Sequence, residues 1–354
     1  MPLSSQVRTT TTMTALTSPA PAHAPRAFAL TSRRSRPQRS GFTITELLVA
    51  IGIIVLLIGI LLPALSKALQ RAKVSQTQST MQEFAKAIEA FQQEFGYYPG
   101  LIPEATLASD PRISSTENAI LHLMGGAVGS DDPAYASFTT GWTAYTIGSG
   151  ANTYTFKVNI NEVGKGPRIA GKQYPPFFAP KSDEFAAIIG QVAGLSGSDT
   201  PLVDLPDVLD AWGQPVIYLR SLREVGSLVG GVSNAQFAIA SNAPYVLSNA
   251  LGELEKSQAS SLLNPASGVT PSVDAALAQI IRSPGFGAAG TPLTGTPRGK
   301  FVLISAGQDG IYFSRNDGLG TASAPITNIV GTSTNPGGPA SIDKWDDVRV
   351  FGGG

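Results

Sequence analysis

Residues 42–62, FTITELLVAIGIIVLLIGILL, restrict what this chain can become more than any other stretch. As a helix these 21 residues reach about 31 Å, the hydrocarbon thickness of a bilayer. No side chain between Leu47 and Leu62 is polar or charged. A helix that is apolar on every face belongs inside a large core or inside a membrane. Glu46 stands at the edge of the run. An ionised carboxylate drawn into lipid costs about 2.5–3.5 kcal/mol on insertion scales, and such groups usually have a partner. Glu46 is therefore a candidate functional residue, and its partner is the route to function.

Charge is unevenly placed along the 354 residues, although the formal net charge is zero. Residues 1–41 hold six arginines (Arg8, Arg26, Arg33, Arg34, Arg36, Arg39) and no acid. The remainder holds 19 basic and 25 acidic residues, a balance of −6, which does not suggest a nucleic-acid partner. The positive-inside rule keeps the leader cytoplasmic and sends the C-terminal bulk across the membrane. A secretory signal peptide and a plain signal anchor are the simpler readings of such a segment. A signal peptide wants a small-x-small cleavage site after the apolar run; LLPALSKALQRAKVSQ, residues 61–76, instead keeps helical character. Cysteine is absent, which excludes disulfides, thiol nucleophiles and Cys-ligated metals. With only His23 and His122, a multi-His metal centre is excluded too.

The junction SGFTITELLVAIGIIVLLIGILLP, residues 40–63, resembles the N-terminus of type IV prepilins and type II secretion pseudopilins. Gly41 stands where prepilin peptidase cuts. Phe42 matches the new N-terminus, which that enzyme methylates. Glu46 matches the acidic residue at the fifth mature position, and Pro63 the proline that interrupts the helix. The resemblance implies that in an assembled filament Glu46 meets the N-terminal amine of a neighbouring subunit. Two charges that are costly alone in an apolar core would neutralise each other there. The alternative is a glutamate that snorkels to the headgroups. Pro63 lacks an amide hydrogen and opposes the preceding turn, so a kink or short unwound stretch is expected near residues 59–63, helped by Gly59.

Residues 64–95 read as the soluble half of the same helix. Met81, Phe84, Ile88, Phe91 and Phe95 make one apolar stripe at three- and four-residue steps, expected to pack on a C-terminal β-sheet. Gly96 is a plausible C-cap. Gly96, Tyr98 and Pro99 resemble the exit from the helix in the major pseudopilin. Asp210, Trp212, Gly213, Gln214 and Pro215 resemble its Asp-Pro-Trp-Gly-Asn-Pro element, with Ala211 and Gln214 as departures. Gly-Gln-Pro makes a turn, VIYL a strand, and Trp212 a packing anchor. Between Gly100 and Pro206 the chain departs from the family with about a hundred extra residues. There NTYTFKVNI (152–160) alternates like a strand, and SDEFAAIIGQVAG (182–194) reads as a short helix with Ser182 as N-cap. YPPFFAP (174–180) is either a recognition surface or a packed loop. A helix is expected at SVDAALAQIIRS (272–283), and Gly/Ser/Pro-biased loops at 262–271, 284–299 and 320–340.

KFVLISAGQDGIYFSRNDG (300–318) offers two strands, FVLIS and IYFS, around a Gly-Gln-Asp-Gly turn. With IDKWDDVRVFGGG it resembles the calcium loop of the major pseudopilin: Ser305, Gly307, Asp309 and Gly310 match one half, and Asp346, Asp347 and Val348 the other. The resemblance implies calcium held by Asp309, Asp346 and Asp347, with Asp317 and Asp343 as weaker candidates; calcium takes six to eight oxygens. Solvated turn aspartates are the alternative.

The expected fold is α+β: a long N-terminal helix packed on a small antiparallel β-sheet, with large irregular insertions. The organisation reads as a cleaved leader (1–41), a transmembrane half-helix (42–63), a soluble half-helix (64–96), an inserted region (97–205) and a C-terminal β region (206–354). That last region holds a variable stretch at 221–298 and the candidate calcium loop at 305–348. The implied function is a structural subunit of a type II secretion pseudopilus. It would sit in the bacterial inner membrane with its C-terminal domain outside the cytoplasm. Its partners would be prepilin peptidase, other pseudopilins, the assembly platform and lipid. A type IV pilin or competence pseudopilin, and a membrane-anchored ligand-binding protein, are the alternatives. No GxSxG, HExxH, P-loop or EF-hand pattern is present, His122 lies in an apolar helical stretch, and Asp131–Asp132 are merely adjacent, so no enzyme is expected.

Overall fold

The computed structural model describes residues 41–107, 109–110, 112–182, 184–187, 195–197, 200–203, 205–238, 261, 273–283, 295–316 and 345–353. Its helices are α1 (Ile44–Phe95), α2 (Glu104–Leu107), α3 (Ser115–Met124) and α4 (Val273–Ile281). The strands through the inserted region are β1 (Ala127–Gly129), β2 (Thr143–Ile147), β3 (Tyr154–Val158), β4 (Arg168–Ile169), β5 (Lys172–Gln173), β6 (Phe185–Ala187), β7 (Leu195–Gly197) and β8 (Thr200–Val203). There follow β9 (Pro206–Val208), β10 (Ile217–Arg220), β11 (Ser227–Gly230), β12 (Ala235–Ala238), β13 (Phe301–Ser305) and β14 (Val348–Gly352).

The chain divides into two compact units, Met1–Gly59 and Ile60–Gly354. In the first unit every described side chain is exposed. The apolar part of α1 has a mean hydropathy of 3.0 over its best window and none of it is buried, the pattern of a helix whose solvent is lipid. The helix passes Gly59 and Pro63 without a non-helical residue, so the unwound stretch expected at Pro63 does not form. Proline deletes one N–H, and the turns on either side keep their own hydrogen-bond ladders.

In the second unit one face of α1 is buried through Thr77, Met81, Phe84, Ile88 and Phe91, in alternating steps of four and three. Gly96, at φ 80°, ends the helix and donates its N–H to the Gln92 carbonyl at 2.7 Å. This face meets an antiparallel sheet of order β10-β13-β14. Side chains of the sheet alternate. Tyr218, Phe301, Leu303 and Val348 join the α1 core, whereas Ile217, Leu219, Val302 and Ile304 join a second core with Leu277, Ile280 and Ile281 of α4. The central strand β13 is therefore buried on both faces, which is why its first four residues, FVLI, are all apolar rather than alternating.

The inserted region shares these cores. Helix α3 opens with a capping box between Ser114 and Glu117. Its Ala119, Ile120 and Leu123 pack into the α1 core. Thr116 covers the outer edge of β10: it accepts from Tyr218 N at 3.1 Å and donates to the Val216 carbonyl at 2.5 Å. A three-stranded antiparallel sheet of order β1-β3-β2 follows, with NTYTFKVNI supplying its middle strand.

Two sequence expectations fail here. Ser182 caps no helix: the chain turns, and Phe185–Ala187 pairs antiparallel with Pro206–Val208. The cause is a tertiary contact that overrides local propensity, for buried Glu184 takes the Thr80 hydroxyl of α1 at 2.8 Å. IYFS is not a strand either. Phe313 sits at φ 50°, a conformation strongly disfavoured for a bulky residue, and its N–H donates to Asp347 Oδ1 at 2.9 Å. Residues 188–194, the biased pieces at 262–271 and 320–340, and Asp317 and Asp343 lie outside the described residues.

Candidate functional site

At the start of α1 the chain forms a reciprocal cap. Thr43 donates both its N–H and its hydroxyl to Glu46 Oε2, each at 2.9 Å, and Glu46 N donates back to Thr43 Oγ1 at 3.2 Å. Both donors act on the same carboxylate oxygen. The T-x-x-E spacing of TITE is the sequence signal of this cap and brings Thr43 to the site beside Glu46. Phe42, 86 % exposed, precedes the cap with no packing of its own. At Gly41 a Cβ would meet nothing within 4 Å, so the fold itself makes no demand for glycine there.

The second candidate is the acidic turn after β13. Asp346 Oδ2 accepts from the amides of Gln308 (2.8 Å) and Asp309 (3.2 Å). Asp309 Oδ1 accepts from Ile311 N at 2.8 Å. Asp309 thus lies on the turn after β13, Asp346 and Asp347 come against it from the segment before β14, and each of the three commits one oxygen to the main chain. Asp346 Oδ1 and Asp347 Oδ2 stay buried without a hydrogen-bond partner. Burial, with Asp346 and Asp309 nearby, pushes the Asp347 carboxyl well above the usual carboxylate range. Among the described residues no group of three or more His, Asp and Glu side chains is placed to hold a metal ion. The orphaned oxygens of Asp346 and Asp347 fit a cation in chemistry, but the side chains alone do not complete a calcium shell.

The turn preceding β10 is stapled to this region by Asp210, which is 3 % exposed. Its Oδ1 accepts from Trp212 N and Gln214 N, both at 2.9 Å, and its Oδ2 accepts from Ser305 Oγ at 2.7 Å. Trp212 is half-buried beside α1, donating Nε1 to Gln70 Oε1 at 3.3 Å. YPPFFAP is a packed loop: Phe178 lies 5.0 Å from Phe84, and Phe177 lies 5.4 Å from Phe91. His122 is buried in α3, where its Nδ1 accepts from Gly100 N at 3.0 Å. Burial and the Arg220 charge pull its pKa down to about 3, so the ring is neutral and built into the core.

A cleft of about 880 Å³ opens beside the end of α1, lined by Glu89, Tyr97, Arg220, Arg223 and Lys300 among others. Its cations are engaged: Arg220 with Glu104 at 2.9 Å, Lys300 with Glu224 at 3.2 Å, and Arg223 with the Val232 carbonyl at 2.5 Å.

The family model described as Prokaryotic N-terminal methylation motif matches residues 36–62, the segment that contains Gly41, Phe42, Thr43 and Glu46. No curated protein and no solved structure matches the chain. The match covers 27 of the 354 residues: the chain carries a prepilin-type N-terminal motif at the head of a helix long and apolar enough to cross a membrane, and in the second unit that helix is laid on an antiparallel sheet, the arrangement of a pilin-like fold.

Proposed function

We propose that the chain is a structural subunit of a type II secretion pseudopilus, or of a closely related filament, in the bacterial inner membrane. Its leader lies in the cytoplasm and the second unit lies outside it. The observation that carries this reading is Glu46, five positions into the chain that begins at Phe42, inside the matched motif. Cleavage after Gly41 frees a charged amine on Phe42, which is then methylated. In a filament the amine of one subunit meets the Glu46 carboxylate of the next, and each charge removes the other's cost of lying in an apolar core. Thr43 holds that carboxylate at the helix start until a neighbour arrives. Other pilin-like subunits and the inner-membrane assembly platform complete the partner set.

The assignment to secretion rather than to a true pilus rests on the Asp210–Ser305 staple and the acidic turn, in a chain without cysteine to close that loop. Calcium belongs to the same proposal: Asp346 and Asp347 would be its carboxylate ligands, with Asp309 nearby and main-chain carbonyls making up the shell. The role is structural, ordering the turn against its own negative charge.

Glu46→Val tests the assembly role. The variant should insert into the membrane at least as well as the wild type, since a charge leaves the span. Subunit-to-subunit crosslinks in sheared filaments should be lost. Normal incorporation by the variant in the absence of wild-type subunits would refute the pairing.

A further inference from the structure

Lys67, Arg71 and Lys73 follow the apolar run within eleven residues of Leu62, and no acidic residue occurs between Glu46 and Glu83. Lys67 and Arg71 are four residues apart, hence neighbours on one helical face. Both are exposed, and neither makes a hydrogen bond or ion pair among the described residues. Lys73 Nζ lies 5.9 Å from the centroid of the Trp212 ring. The same stretch exposes Leu61, Leu65 and Leu69, again four apart, at 63 %, 50 % and 58 %. A leucine row interleaved with unpaired cations is the composition of a helix at a lipid–water boundary.

Position supports the same partner. At 1.5 Å per residue, Lys67 lies roughly 7 Å and Arg71 roughly 13 Å beyond Leu62 along the helix. Headgroups occupy roughly 5–8 Å on each side of the hydrocarbon. Side chains of a helix lean toward its N-terminus, so both cations reach back toward Leu62 and not away from it. Long basic side chains cover apolar surface with their stems while the charged head stays in the polar layer. These cations lie on the exported side, against the positive-inside bias, which the six leader arginines outweigh.

We propose that Lys67 and Arg71, flanked by Lys73, form a binding surface for anionic phospholipid headgroups at the outer face of the membrane. The inference rests on the membrane-spanning reading of α1. Headgroup contacts there set the resting depth of the subunit, and they must break when the subunit is drawn out into a filament.

The test uses the full chain in phosphatidylcholine vesicles, with spin-labelled phosphatidylglycerol or phosphatidylcholine as probe. Paramagnetic resonance of the protein-bound lipid fraction gives the relative association constant of the two lipids. Phosphatidylglycerol should be preferred. The double variant Lys67→Gln/Arg71→Gln should lower that preference by roughly 25-fold, about fivefold per cation removed. High salt should shrink the gap between the two chains. Arginines of the leader contribute equally to both, so the difference isolates the two positions. An identical lipid preference in wild type and variant overturns the proposal. So does a variant that keeps the preference but loses subunit crosslinks, since the cations would then serve an acidic surface of a neighbouring subunit. Flotation with neutral vesicles reads the span separately. A chain that does not float overturns the span and this proposal together, whereas one that floats without selectivity overturns this proposal alone.

Discussion

Two buried groups titrate in opposite directions, and their opposition predicts a pH profile that single substitutions should expose. His122 has a folded pKa of about 3 against an ordinary 6.5, because burial and Arg220 disfavour the imidazolium. Its contribution to stability is complete above pH 6.5 and is lost as pH falls toward 3. Asp207, 4 % exposed, is pushed up to about 7 from 3.8 by burial; Ser114 Oγ lies 3.3 Å from its Oδ1 and works the other way. Its contribution is complete below pH 3.8 and is lost as pH rises through 7. Between pH 4.5 and 6.5 each group changes stability by one proton's worth, about 1.4 kcal/mol per pH unit, or roughly 3 kcal/mol across the window. The two slopes oppose each other. Relative to the wild type, His122→Gln should therefore gain stability on acidification from pH 6.5 to 4.5, by up to roughly 3 kcal/mol, while Asp207→Asn should lose stability over the same window. Urea midpoints of the detergent-held chain at several pH values, at constant slope, give these differences directly. Two variants with the same pH dependence as the wild type would mean that neither group is buried in its uncharged form.

Asp210→Ala should destabilise the second unit by about 3–5 kcal/mol, since three donors lose a buried charged acceptor; a change within about 0.5 kcal/mol, the range of ordinary surface sites, would show that the staple is dispensable. Millimolar calcium should raise the melting temperature relative to chelator, and more so at pH 8 than at pH 6, because the raised pKa of Asp347 must be overcome before its carboxylate can ligate. Asp347→Asn should abolish that gain, and melting curves that coincide at both pH values would reduce the aspartates to turn residues. Gly41→Val should leave folding untouched, since a Cβ there meets nothing within 4 Å, yet should block processing; normal processing of this variant would remove the reason for glycine at the junction.

The stripe at Met81, Phe84, Ile88 and Phe91 was legible because a helix with one buried face must repeat every 3.6 residues. FVLIS and VIYL were legible as apolar runs between turns, and both lie in the central sheet. Misreadings arose where a distant contact outweighed the local pattern. The sequence SDEFAAIIG carries no sign that Glu184 is held by Thr80, about a hundred residues earlier. Nor does IYFS reveal that the Asp347 carboxylate holds the Phe313 amide and keeps the chain from extending. At the N-terminus the motif is readable residue by residue and the T-x-x-E spacing signals the cap, whereas the meeting of both Thr43 donors on one Glu46 oxygen needed coordinates. The acidic turn was readable as a cluster, but which oxygens remain unsatisfied was not.

The central claim is that this is a processed pilin-like subunit, and the mass of the mature chain tests it most directly. The full chain, expressed in its membrane beside an active prepilin peptidase, is extracted and its intact mass and N-terminal peptide are measured. The account predicts a chain that begins at Phe42, carries one methyl group on its amine, and is absent when the peptidase is inactive. An uncleaved chain beside active peptidase, or a mature chain that begins after Pro63, would contradict it.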